Sequence, residues 1–171
     1  MQSGKKWAKT PTLIIVDGDL PFALTTAHEQ IIIARALITV APTVDAFAFI
    51  LAHELAHAVL GHLFDRQDFE RTTHKIQELQ ADAFALRAMA YCGFSLNGGE
   101  QALRAIYKTL GSSPYRYSAP LYIPTQNDEL PQYPSLEERL TAIQAQALFL
   151  PRVRQVQKRL EERFQLIRNM K

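Results

Sequence analysis

Polar and apolar positions follow two regimes along this chain. In the first part the apolar residues come in short runs with turn residues between them. Thr12-Leu13-Ile14-Ile15-Val16, closed by Asp17-Gly18-Asp19, predicts a buried strand. Phe22 to Thr25 and Gln30 to Ala34 predict two more, joined by Thr26-Ala27-His28-Glu29. Pro21 suits an edge strand, because proline has no N–H for a ladder. From Val44 the pattern turns helical. Thr43 is placed as an N-cap, Asp45 complements the dipole in the first turn, and Gly61 is a stop. Between them Ala46-Phe47-Ala48-Phe49-Ile50-Leu51-Ala52 is apolar on every face, so this helix must be buried. Polar residues inside it are costly, and therefore informative.

Further helices are predicted from about Asp68 or Thr73 to Tyr91, from Gly99 to Leu110, from Ser135 to Leu148 and from Arg152 to Arg168. Ala81, Ala83, Ala85, Ala88 and Ala90 permit close packing of the first of these, and Gly93 ends it. Ser112 to Pro134 holds five of the nine prolines and four of the six tyrosines and reads as a long loop. Its Tyr115, Tyr117 and Tyr122 suit either a lid or substrate wall, or plain packing of the loop onto the surface. In the last helix Val153, Val156, Leu160, Phe164 and Ile167 form an amphipathic stripe.

At 171 residues, 47% hydrophobic and 21% charged, the chain fits one compact domain and excludes extensive disorder. Nineteen basic and seventeen acidic side chains give +2, too balanced to expect nucleic acid as a partner. From Arg152 onward there are seven Lys/Arg and two Glu, so this basic helix is either packed on its own domain or offered to a partner. The lone Cys92 excludes an internal disulfide. No apolar run approaches the roughly 20 residues of a membrane span. The basic Lys5-Lys6-Trp7-Ala8-Lys9 is followed by an apolar run that stops at Asp17, so no signal peptide is read. The expected compartment is the cytoplasm, or the periplasm for a processed form.

The chemistry centres on His53-Glu54-Leu55-Ala56-His57. Two histidines four apart on a helix share a face, so both imidazoles can reach one metal. Glu54 lies about 100° round the helix from His53, too far to ligate beside it but able to reach a water held by the metal. Zinc lowers the pKa of that water to about 7, and the carboxylate can take its proton and pass it to a leaving amine. This is the H-E-x-x-H metallopeptidase pattern.

A catalytic zinc takes three protein ligands. His62 lies nearby, but Gly61 and His62 sit four and five residues beyond His57, where the longer H-E-x-x-H-x-x-G-x-x-H pattern has glycine three and histidine six beyond. His62 reads instead as an ordinary exposed histidine at a helix end. Glu78, in Glu78-Leu79-Gln80-Ala81-Asp82, is the better third ligand. Asp82 shares its helix face and can accept the remaining N–H of a ligand histidine. His28 and His74 read as surface histidines.

These motifs resemble those of the M48-type zinc metallopeptidases, members of the gluzincins, over Leu20 to Ala145. Pro21-Phe22-Ala23-Leu24 resembles a strand of the family, Gln30 to Leu37 its next strand and the turn after it, and Leu51 to His62 its active helix. Glu78 to Leu86 is similar to its third-ligand helix, and Tyr133-Pro134-Ser135-Leu136-Glu137-Glu138-Arg139-Leu140 to its later His-Pro motif ending in arginine. The resemblance implies one zinc per chain held by His53, His57 and Glu78, with Glu54 as catalytic base and Asp82 behind the ligands. Three departures stand out. Pro21 replaces an asparagine, Tyr133 replaces the histidine of the His-Pro motif, and twenty residues between His57 and Glu78 leave no room for a transmembrane hairpin. Short gluzincin-like regulators, of the ImmA/IrrE type or like the phage-exclusion protease Lit, are therefore neighbouring possibilities.

The expectation is an α+β, mostly helical zincin-like domain over residues 1–150, with a small antiparallel or mixed sheet beside the active helix. Residues 151–171 would form a basic amphipathic helix packed on it. The expected function is a zinc-dependent endopeptidase acting on protein or peptide substrates. Tyr133 and Arg139 are candidate transition-state or substrate contacts, Arg139 equally a salt-bridged helix residue. The rivals are a latent regulatory protease and a non-catalytic module stapled by zinc.

Overall fold

The computed structural model describes residues 11–26, 30–62, 71–110, 133–150 and 158–169. Three strands, β1 (Thr12–Val16), β2 (Ala23–Thr25) and β3 (Gln30–Ala34), form a mixed sheet in the order β1-β3-β2. β1 runs parallel to β3, pairing Ile14 with Ile32, and β2 runs antiparallel to it, pairing Leu24 with Ile32. Among the described residues six helices accompany them: α1 (Arg35–Val40), α2 (Val44–Val59), α3 (Arg71–Cys92), α4 (Asn97–Leu110), α5 (Leu136–Ala147) and α6 (Lys158–Asn169). The molecule is thus α+β and mostly helical, as expected. The link 27–29, the loop 112–132 with its three tyrosines, and the expected helical start at 152–157 lie outside the described residues.

α2 is the central element. Thr43 Oγ1 accepts the Ala46 amide at 3.1 Å as the expected N-cap, and Glu161 of α6 accepts the Val44 amide at 3.0 Å. Together they satisfy donors that a helix start leaves orphaned. The N-terminal half of α2 is packed by Phe49, buried to 1% exposure, among Ile33, Leu86, Met89 and Leu103. Burial of a phenylalanine of this kind contributes about 1.5–3 kcal/mol. Gly98 and Gly99 let α4 approach α2 directly. A methyl group on Gly98 would stand 2.5 Å from the Asp45 carbonyl carbon. α3 packs along α2, α5 against α3 and α4, and β2 against α2.

Two expectations are corrected. β1 is not buried: Leu13 and Ile15 are each 45% exposed, because β1 is an edge of the sheet rather than its centre. An unbroken apolar run describes a central strand better, and here that place belongs to β3. The strand expected to lead directly into a turn at Arg35 continues as α1, which ends before Pro42. α6 packs back on its own chain, with Phe164 buried against Phe47 at 5.4 Å between ring centroids. Ile167, the last residue of its expected stripe, is 47% exposed. No helix among the described residues is long and apolar enough to cross a membrane.

Candidate metal and active site

The C-terminal half of α2 presents its polar residues to α3. His53 and His57, one turn apart, turn their Nε2 atoms toward each other at 3.1 Å. Glu78 of α3 reaches both, with Oε2 at 3.3 Å from His53 Nε2 and Oε1 at 3.4 Å from His57 Nε2. One ligand atom from each of the three lies within 4.8 Å of the others, an arrangement that can hold a metal ion. These side chains are only 11–16% exposed. Two helices of ordinary sequence spacing thereby converge on one point, because Phe49, one turn before His53, and Leu86, two turns after Glu78, are buried in the same core.

Behind the donors stands a second polar layer. Asp82 Oδ1 accepts from His53 Nδ1 at 2.9 Å, and Arg139 of α5 grips Asp82 through Nη2 at 2.6 Å and Nε at 2.8 Å. Arg139 Nη1 also lies 3.5 Å from Glu78 Oε2. The Tyr107 hydroxyl, close to the guanidinium, donates to the Pro134 carbonyl at 2.7 Å. Arg139 is 6% exposed, and its contacts are those of a buried ion pair. α5 is fixed in place by a Ser135–Glu138 capping box and an ion pair from Lys75 to Glu138.

The electrostatics follow from these neighbours. Burial works against charge on His53, but the Glu78 and Asp82 carboxylates outweigh it and lift the imidazole to about 10. Burial pushes His57 down to about 3 despite Glu78 beside it. Burial also opposes ionisation of Glu78, yet His53 and His57 hold its carboxyl well below the usual range. Arg139 does the same for Asp82 against its burial. The two carboxylates thus favour a positive charge at His53, and a group of this kind can hold a cation.

Glu54 stands on the neighbouring face. Burial raises its carboxyl to about 6, against the pull of His53. Thr25 of the edge strand β2 donates its hydroxyl to the Glu54 carbonyl at 2.6 Å and lies 3.3 Å from the Glu54 carboxylate. The sheet edge and this residue are therefore tied together.

Other predicted residues need correction. His62 is half-buried, not an ordinary exposed histidine, and its Nδ1 lies 3.0 Å from His57 Nδ1. Its other nitrogen faces Gln80 Oε1 at 3.2 Å. The end of α2 explains this. Gly61 adopts φ +81, and the amides of Gly61 and His62 bond back to Ala58 and His57 at 3.2 and 2.9 Å. This is a Schellman turn, which folds the residue five beyond His57 over it. His74 is half-buried too, and its ring stacks on Tyr133 at 5.9 Å between centroids. Thr25, Tyr107 and Gln80 were missed altogether. Only Gln80 carried a signal, as the polar residue between Glu78 and Asp82.

Residues 27–154 match the family model described as Peptidase U49. The chain belongs to the peptidase U49 family. U49 is a peptidase family distinct from the M48 type, so the resemblance read from the motifs stands at the coarser level of a peptidase. The match spans α2, α3 and α5, and hence every residue of the cluster, while α6 falls beyond it. No curated protein matches the chain significantly.

Proposed function

We propose that this U49 peptidase is a zinc-dependent endopeptidase whose metal is held by His53, His57 and Glu78. The observation that carries the reading is the convergence of these three donors within 4.8 Å, in a buried place, with Asp82 behind one of them. The donor set fits zinc: two imidazole nitrogens and one carboxylate are a catalytic set, whereas calcium and magnesium favour oxygen donors throughout. When bound, zinc would supply Lewis acidity, lowering the pKa of a water and polarising the scissile carbonyl. Glu54 takes a proton from the attacking water and gives it to the leaving amine, a transfer favoured by a carboxyl held near 6. The peptide lies extended along the edge strand β2, adding main-chain hydrogen bonds to the sheet. Thr25 keeps that edge in register with Glu54. Arg139 acts by orienting Asp82 and Glu78, and the Tyr133 hydroxyl is the candidate donor to the developing oxyanion.

A peptide-library cleavage assay on wild type and Glu54→Gln tests this. Wild type should cleave, and Glu54→Gln should keep its metal and fall by about 10²–10⁴-fold in kcat. Undiminished cleavage by purified Glu54→Gln would remove Glu54 from the mechanism. A latent regulatory peptidase, of the ImmA/IrrE or Lit type, is a second reading, supported by a family distinct from M48 and by the short His57–Glu78 connection. In that case limited proteolysis or a partner would switch cleavage on.

A further inference from the structure

The two histidines of the cluster are supported in different ways. His53 gives its Nδ1–H to Asp82, a carboxylate clamped by Arg139. Among the described residues no acidic group stands at the Nδ1 of His57, and His62 lies there instead, 3.0 Å away. Gln80 Oε1 accepts, so His62 gives it the Nε2–H across 3.2 Å. The Nδ1 atoms of His57 and His62 face each other, which leaves His57 Nε2 turned toward His53 and Glu78.

We infer that His62 and Gln80 are positioning residues that form a relay, Gln80–His62–His57, holding the His57 ring in the orientation needed for metal ligation. The inference rests on the zinc site proposed above. The relay is built into the backbone, since the turn at Gly61 that ends α2 also bonds the His62 amide to the His57 carbonyl at 2.9 Å. Backbone and ring of His62 therefore grip the same residue. Partners of this kind behind metal-ligating histidines are typically worth 10–100-fold in metal affinity.

The test is the affinity of the purified chain for Zn²⁺ alone, by competition with a chromophoric chelator, together with the imidazole count from zinc-edge X-ray absorption. His62→Ala should bind zinc about 10–100-fold more weakly. His62→Asn places an amide where Nδ1 stands and should restore most of that loss. His62→Gln extends its amide toward the Nε2 position and should not. Exposed Gln80 tolerates change, so Gln80→Leu should weaken and Gln80→Glu strengthen binding by a few-fold without altering the fold. Two imidazoles should be counted in wild type and still two in His62→Ala. Wild-type affinity in His62→Ala, where His57→Ala has lost it, would overturn the relay while leaving the zinc site standing. Three imidazoles in wild type falling to two in His62→Ala would make His62 a ligand and also overturn it. Failure of wild type to bind zinc, or equal binding by His57→Ala, would strike the zinc site itself and the relay with it.

Discussion

The two halves of α2 are stabilised by opposite means. Its N-terminal half is held by caps and close apolar packing: Thr43 and Glu161 on the first amides, Phe49 in the core, and Gly98 against the Asp45 backbone. Its C-terminal half is surrounded by ionisable groups that would be costly to bury singly, namely His53, His57, Glu78, Asp82 and Arg139. An unpaired buried charge costs several kcal/mol, whereas a buried pair roughly breaks even. The polar half is thus close to neutral for stability as long as it is complete. The apolar half supplies the net stability that holds it in place.

The largest break in that comparison should come from removing one member of the polar half. Asp82→Ala takes from buried Arg139 its two close carboxylate contacts and leaves it only Glu78 at 3.5 Å, and should cost about 3–5 kcal/mol in urea unfolding. Replacing both partners, Asp82→Leu with Arg139→Met, should recover most of that cost, as a complete but apolar layer would. If the double variant is no more stable than Asp82→Ala, the loss does not arise from an orphaned charge. In the apolar half, Gly98→Ala drives a methyl into the Asp45 backbone and should cost about 1–3 kcal/mol. A neutral result there would show that α4 and α2 are not in tight contact. Thr43→Ala should cost about 1 kcal/mol by uncapping the Ala46 amide.

A pH series sharpens the contrast further. Arg139 holds the Asp82 carboxyl below its unfolded value of 3.8, so the stabilisation is present above that value. It is lost as pH falls below 3.8 and through the folded value, because the unfolded chain takes up the proton first. Urea midpoints measured from pH 5 downward should therefore drop less steeply in Asp82→Asn than in wild type. Parallel slopes would mean that Asp82 is not the group responsible.

Much of this was legible in the residues. α2 was readable at both ends because Thr43 and Gly61 each carry a local, side-chain-specific signal, and the Glu78 to Asp82 spacing marked the facing helix. What could not be read depends on tertiary placement. The exposure of β1 follows from its position in the strand order, which its own apolar run does not encode. Ala34-Arg35-Ala36-Leu37 suits a turn or a helix, and packing on β3 and α4 decides for α1. His62 reads as an ordinary helix-end histidine because its spacing misses the longer motif, while the turn at Gly61 folds it back over His57. Arg139 could be read two ways until Asp82 was found at 2.6 Å.

The most direct test is the zinc content of dialysed wild type, Glu54→Gln and Glu78→Ala, measured by mass spectrometry of the metal. About one zinc per chain is expected in the first two and a small fraction of that in Glu78→Ala, in line with three protein ligands at a catalytic site. Wild type without zinc, or Glu78→Ala with a full complement, would contradict the account.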